Sequence, residues 1–272
     1  MNQCTRRIQK IATHLIKRRN CSTSTKSHSF HIHEITVGDT PEGWINAGFT
    51  VDEGWKREKL VFFDNCTIRL TSEGNGLSQI TFGTNKDNSK DTTLSLPGLT
   101  KSTILKTPPA AIGMPTNHPN SATKIGEIVL YTQHLDSFVK EMRKVGINTH
   151  KNKTPKITAE HYSCAKYFFE QESSNQIRLL VFGPNDPNHD SSKNSDQMWM
   201  LGKGTGTEIT GYLPLVNSMS ALTNHCRHVS TPKTAIQKNR TIATLKKDMI
   251  NGLTGTFAFL SDEKEVKGDP LF

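Results

Sequence analysis

A turn, a strand, a helix and a glycine stop follow one another between Asn117 and Ile147, in NHPNSATKIGEIVLYTQHLDSFVKEMRKVGI, and two weaker copies of that order flank it. A repeat of this kind restricts the fold more than any single motif, because one unit cannot bury the apolar face of its own sheet. In the central copy Ile125, Ile128, Val129 and Leu130 make an apolar run suited to a buried strand. Thr132 is the expected N-cap, its hydroxyl accepting from an orphan amide. Leu135, Phe138, Val139, Met142 and Val145 then recur at helical spacing and predict one apolar helix face. Lys140, Arg143 and Lys144 stand late, where the helix dipole favours cations, and Gly146 takes the left-handed stop.

The upstream copy begins with an alternating strand, His31 to Val37. Gly38-Asp39-Thr40-Pro41 is turn chemistry, with Pro41 placed to open a short helix over Glu42 to Ala47. Strands are expected at 60–63, 66–71 and 78–82. After the central helix, 162–170 and 176–182 read as strands. The third copy starts at 209–216, with a helix near 218–225 and strands at 240–246 and 256–260. Each unit is strand–helix–strand–strand–strand, and units must pair to bury their sheets.

The first twenty-six residues differ in kind. They hold Arg6, Arg7, Lys10, Lys17, Arg18, Arg19 and Lys26 and no acid, and Ile8, Ile11, Ala12, Leu15 and Ile16 form one helical stripe. A basic, acid-free, amphipathic segment ending in Ser22 to Thr25 describes a mitochondrial presequence, and the expected location is the matrix. The competing reading is a basic helix for a membrane surface or nucleic acid. The net charge of +9 over 272 residues falls to +2 without those seven cations. That leaves no electrostatic footprint for a phosphate backbone, so no nucleic-acid partner is expected. No apolar run reaches the length needed to insert into a membrane.

Cys66, Cys164 and Cys226 are far apart and odd in number, which suggests neither a zinc framework nor a disulfide scaffold. The chain divides into a presequence over 1–26, a first unit over 27–100 and a proline-rich linker over 101–120. A second unit follows over 121–184, then a flexible loop over 185–207, a third, partial unit over 208–262 and a tail over 263–272. Gly202-Lys203-Gly204-Thr205-Gly206 lacks the preceding strand and the spacing of a phosphate loop.

Ile32-His33-Glu34-Ile35 with Trp44 to Phe49, His118-Pro119-Asn120 with 125–147, and Arg240 to Leu245 with 255–261 together resemble the glyoxalase-like branch of the vicinal oxygen chelate superfamily. This family includes glyoxalase I, extradiol dioxygenases, bleomycin-resistance proteins and methylmalonyl-CoA epimerase. The resemblance implies an α+β fold of repeated βαβββ modules whose mixed sheets curl into half-open barrels. It also implies that metal-dependent members draw ligands from the first and last strands of two modules. His33 matches the first-strand histidine, Glu127 stands where the second unit would carry its own, and Gln79 is the last-strand candidate. Leu179, Leu180 and Val181 stand where a glutamate is expected, and an apolar side chain cannot coordinate. The inventory therefore favours no cofactor. A divalent metal would be held by His33, Glu127 and Gln79 only if one binds.

The resemblance implies an enzyme acting on a small oxygenated metabolite as a lyase, isomerase or dioxygenase. His33 and Glu127 would be ligands or acid–base groups, and His118 a further proton-transfer candidate. Against that, His118-Pro119-Asn120 also reads as a rigid turn. Arg240 could clamp an anion, and His161 and Tyr162 could line the cavity. Two other readings are a metal-free binding or sequestering module and a structural or assembly factor in mitochondria. The expected partner is a small molecule, with a homodimer left open.

Overall fold

Strand pairing follows the repeat but divides it differently. The structure, a computed structural model, describes residues 30–54, 58–71, 76–84, 91–99, 102–105, 117–149, 162–169, 177–185, 207–234, 240–245 and 249–262. The presequence, the glycine-rich 202–206 stretch, the tail and His161 lie outside the described residues.

In the first sheet β1 (Phe30–Val37) leads through α1 (Pro41–Asn46) to β2 (Asp52–Glu53), β3 (Lys59–Phe63) and β4 (Cys66–Leu70). β4 returns to lie parallel to β1, with Glu34 opposite Thr67. β5 (Leu77–Thr84) then pairs antiparallel with β1 and parallel with β7 (Ser102–Leu105), which pairs with β6 (Thr92–Leu94). The segment expected as the last strand of the first unit thus opens a further, smaller unit. Its other strands, β6 and β7, fall at the end of the expected first unit and at the start of the proline-rich linker. Polarity hid them: β6 is Thr-Thr-Leu with both threonines exposed.

The second sheet repeats the plan. β8 (Ala122–Thr132), α2 (Leu135–Lys144), β9 (Tyr162–Phe169) and β10 (Ile177–Pro184) form one unit. β11 (Thr207–Val216), α3 (Met219–His225), β12 (Lys233–Thr234), β13 (Thr241–Leu245) and β14 (Thr256–Ser261) form the next. β8 and β10 are parallel, β11 and β14 are parallel, and β8 meets β11 antiparallel. Both sheets are therefore seven-stranded and mixed among the described residues, each joined across two first strands. Units pair within the chain, so a second copy is not required for that purpose.

Local chemistry sets the helix ends. Thr40 Oγ1 accepts from the Gly43 amide at 3.2 Å and Pro41 opens α1. Ser218 caps α3 through the Ala221 amide. Thr132 does not cap α2; His134 takes that position without a side-chain cap bond. The Thr132 hydroxyl is instead buried, accepting from the His134 amide at 3.2 Å and lying 2.9 Å from Thr207 Oγ1. Gly146 adopts φ 90° after α2, as its position requires.

One apolar cluster unites both sheets and all three helices. It contains Ile32 and Ile35 of β1, Ile125 and Ile128 of β8, Trp44 of α1, Phe138 and Met142 of α2, and Met219 and Leu222 of α3. A smaller cluster, centred on Val129, Tyr131 and Phe182, covers the other face of the second sheet. Polar side chains weld the halves together. The Asn65 amide donates to the Ile125 carbonyl and its oxygen accepts the Ile125 amide, at 2.8 and 3.0 Å. Asn120 donates to Ala47 O and accepts from the Ala122 amide. Asp39, fully buried, accepts from Trp44 Nε1 at 2.9 Å and from the Thr254 amide and hydroxyl at 2.8 and 2.6 Å. Burial pushes its carboxyl above the ordinary range, against the pull of those three donors.

Candidate functional site

Alternation along a strand sends successive side chains to opposite faces. In β8 the shared core takes Ile128 and Leu130, so Glu127, Val129 and Tyr131 face the other way. β10 divides likewise, with Ile177, Leu179 and Val181 in the core and Arg178, Leu180 and Phe182 opposite. Register sets Arg178 directly beside Glu127, and their ion pair closes at 2.8 Å. Lys166 of β9 is the cross-strand partner of Leu180 on the same face, and Cys164 that of Phe182. Leu213 of β11 stands opposite Glu127. The face thus sets an apolar row of Val129, Leu180, Phe182 and Leu213 beside the Glu127–Arg178 ion pair and Lys166. Burial pushes the Glu127 carboxyl up, while Arg178 and then Lys166 pull it down. Burial likewise raises the Cys164 thiol, to about 11.

The first sheet carries a matching but wetter arrangement. A bulge in β1 falls at His33, since Ile32 pairs with Phe82 and Glu34 with Thr81. His31 and His33 stand edge to face, with ring centroids 6.4 Å apart. Burial lowers the pKa of both; His31 is pushed further down by His33, while Glu34 pulls His33 up. Glu34 accepts two bonds from Arg69 of β4, at 2.8 and 2.7 Å, and Glu58 pairs with the remaining end of that guanidinium. Gln79 of β5 donates to Thr81 Oγ1.

His33 and Gln79 therefore belong to one sheet and Glu127 to the other. Ile32 and Ile35 of β1 share one core with Ile125 and Ile128 of β8. The units that pair by hydrogen bonds are the first with the small β5 unit, and the second with the third. The set does not fit a divalent metal. Among the described residues no three His, Cys, Asp or Glu side chains gather where one ion could be held. At both first-strand and closing-strand positions a guanidinium faces the carboxylate, and a fixed cation repels a second one.

His118 is buried and wholly engaged. Its Nδ1 accepts the Thr50 amide at 3.1 Å, and Nε2 lies 2.9 Å from the Phe62 carbonyl, which together require the neutral tautomer protonated on Nε2. Its ring packs on Phe49 and Phe63. These bonds tie the turn at 118–120 to the first sheet. Arg240 donates to exposed Asp262 at 2.7 Å across the β13–β14 end. Tyr162 starts β9, and its side chain lies outside the description.

Because burial lowers the His118 pKa, a pH test follows. A depressed folded-state value means the unfolded chain binds the proton more readily. The stabilisation is complete above the ordinary value of 6.5 and is lost as pH falls from there through the folded value. The difference in Tm between wild type and His118→Asn should shrink between pH 7.5 and pH 5. A constant difference would show that His118 does not titrate in this window.

Sequence reasoning missed Arg178, Lys166, Glu34 and Arg69. A charged residue inside an apolar alternating strand was the available signal, and Arg178 in IRLLVF carries it.

No family model matches the chain, and no curated protein matches it in sequence. Solved structures do match. A mutant of 4-hydroxymandelate synthase from Streptomyces coelicolor aligns with a TM-score of 0.52 at 11% identity, over 88% of this chain and 94% of that one. A fusion of a xylose isomerase-like TIM barrel with 4-hydroxyphenylpyruvate dioxygenase gives 0.51 at 7% identity, over 90% of this chain and 50% of that one. Identities so low speak for the fold alone. With two mixed sheets, each joining two units across antiparallel first strands, this chain has the α+β fold of the vicinal oxygen chelate, or glyoxalase-like, proteins.

Proposed function

We propose that this chain is a metal-independent small-molecule-binding protein of the mitochondrial matrix, with its ligand on the face of the second sheet that carries Glu127, Arg178 and Lys166. The observation that supports this most is the Glu127–Arg178 pair at 2.8 Å, set where the fold's metal users place ligands. An apolar surface of Val129, Leu180 and Leu213 with a few charged groups beside it has the make-up of a small-molecule site. Ligand-observed NMR with a library of small oxygenated metabolites tests it. Binders should persist after treatment with a chelator and be lost in Leu180→Trp, which fills the face. Binding that disappears with the chelator, or no binder at all, overturns the reading.

A second reading, an enzyme acting on such a metabolite, draws on Glu127. A carboxylate whose pKa burial raises is better placed to accept a proton near neutral pH. Turnover that Glu127→Gln abolishes while binding persists would favour it.

The matrix location rests on the acid-free amphipathic segment over 1–26. Fused to a fluorescent protein, that segment should direct it into mitochondria, and the mature protein should lack it. Diffuse cytosolic fluorescence would overturn this part.

A further inference from the structure

Arg178 and Glu127 are neighbours by register on parallel strands, and nothing in the packing separates them. Their exposures differ: the arginine side chain is 31% exposed and the glutamate 10%. A ligand approaching from solvent meets the guanidinium first. Glu127 is hemmed in by Leu213 across from it and by the Val129–Leu180 row beside it. Among the described residues this face also carries Lys166, Cys164, Tyr131 and Glu208, the last standing opposite Tyr131, about 13 Å along β8 from Glu127, with the Arg240–Asp262 pair at its β13–β14 margin.

We propose that Arg178 anchors the carboxylate of a small apolar acid, and that this carboxylate takes the place Glu127 holds on the guanidinium, with Glu127 taking up one proton from water as it is released. The inference rests on the binding site proposed above and names its ligand class. Charge balances: one anion and one proton enter together, and the face keeps its net charge. A carboxylate matches the fork of an arginine, and the internal one shows that the geometry accepts it. Once parted from the arginine, Glu127 would be a poorly hydrated charge without its nearest counter-ion, which protonation removes. Its pKa, already raised by burial with Arg178 as the first opposing influence, moves in that direction. The apolar row then receives the ligand's carbon chain.

Calorimetry with butyrate as the probe and n-butanol as its uncharged control tests this, in two buffers of different ionisation enthalpy at one pH. Wild-type protein should bind butyrate with uptake of close to one proton per ligand. Glu127→Gln, which removes the internal competitor, should bind it about tenfold more tightly and without proton uptake. Arg178→Gln should lose binding by about tenfold or more, and Arg178→Lys should recover part of it. Unfolding curves of the variants confirm that each is folded. Butyrate binding that Arg178→Gln leaves intact, or that Glu127→Gln weakens, overturns the exchange. Should butanol bind the face and butyrate not, the exchange fails and the binding site stands; should neither bind, nor any library compound, both fail.

Discussion

Trp44→Ala will cost about 3–5 kcal/mol of folding stability, the range for deleting a large buried aromatic. In a chain of this size that is a fall in Tm on the order of 10 °C. The indole is fully buried. Its ring lies 5.0 Å from Phe49, 5.3 Å from Tyr212 and 5.1 Å from Phe257, so it joins the first helix to strands of the second sheet. The substitution also strips one of three donors from buried Asp39. Trp44→Phe separates the two effects. It keeps most of the apolar contact and should lose only about 1–3 kcal/mol, the cost of a buried acceptor left short of a partner. Urea unfolding of the three proteins measures both. A loss below about 1 kcal/mol for Trp44→Ala would place the ring outside the core.

Phe138→Ala should be comparably severe, again about 3–5 kcal/mol. Phe138 and Met142 are fully buried on α2, and Phe138 approaches Tyr167 of β9. The helix has only ten residues and no side-chain N-cap bond, so packing and not local propensity holds it. Ile45→Ala on α1 is the control: that side chain is 54% exposed and its loss should change stability by no more than about 0.5 kcal/mol. Equal losses for the two variants would contradict the assignment of helix faces.

Periodicity made the helices and most strands legible because one face of each is buried. Leu135, Phe138 and Met142 in α2 and the alternation of β1 were read directly from the chain, and the structure has both elements. Strands without an apolar face were not legible. β2 is Asp-Glu and β6 is Thr-Thr-Leu, with Leu94 its one buried side chain, so neither shows the alternation that marks a strand. The partner of β5 is a question of pairing between distant segments, which no local pattern records. The candidate site was legible only in part. Glu127 was found because a family pattern points at its position. Arg178 was overlooked because the search there was for a metal ligand, and an arginine is not one. Which residues neighbour His33 depends on which sheets join, and no local pattern records that.

The bond between Asp39 and Thr254 spans 215 positions, and the Thr40 amide likewise reaches the Gly252 carbonyl. A ribosome makes the first partner long before the second. Until the final strand emerges, the turn before α1 lacks its anchors and Asp39 lacks two of its three donors. The amino-terminal half is also short of the His118 and Asn120 side chains that the Phe62 and Ala47 carbonyls await, and of the Ile125 backbone that Asn65 awaits. Nascent chains of this protein therefore complete the first sheet's strands well before the contacts that anchor it to the second sheet can form. The last anchors come from the carboxyl end, and contacts of such long sequence separation make for slow folding.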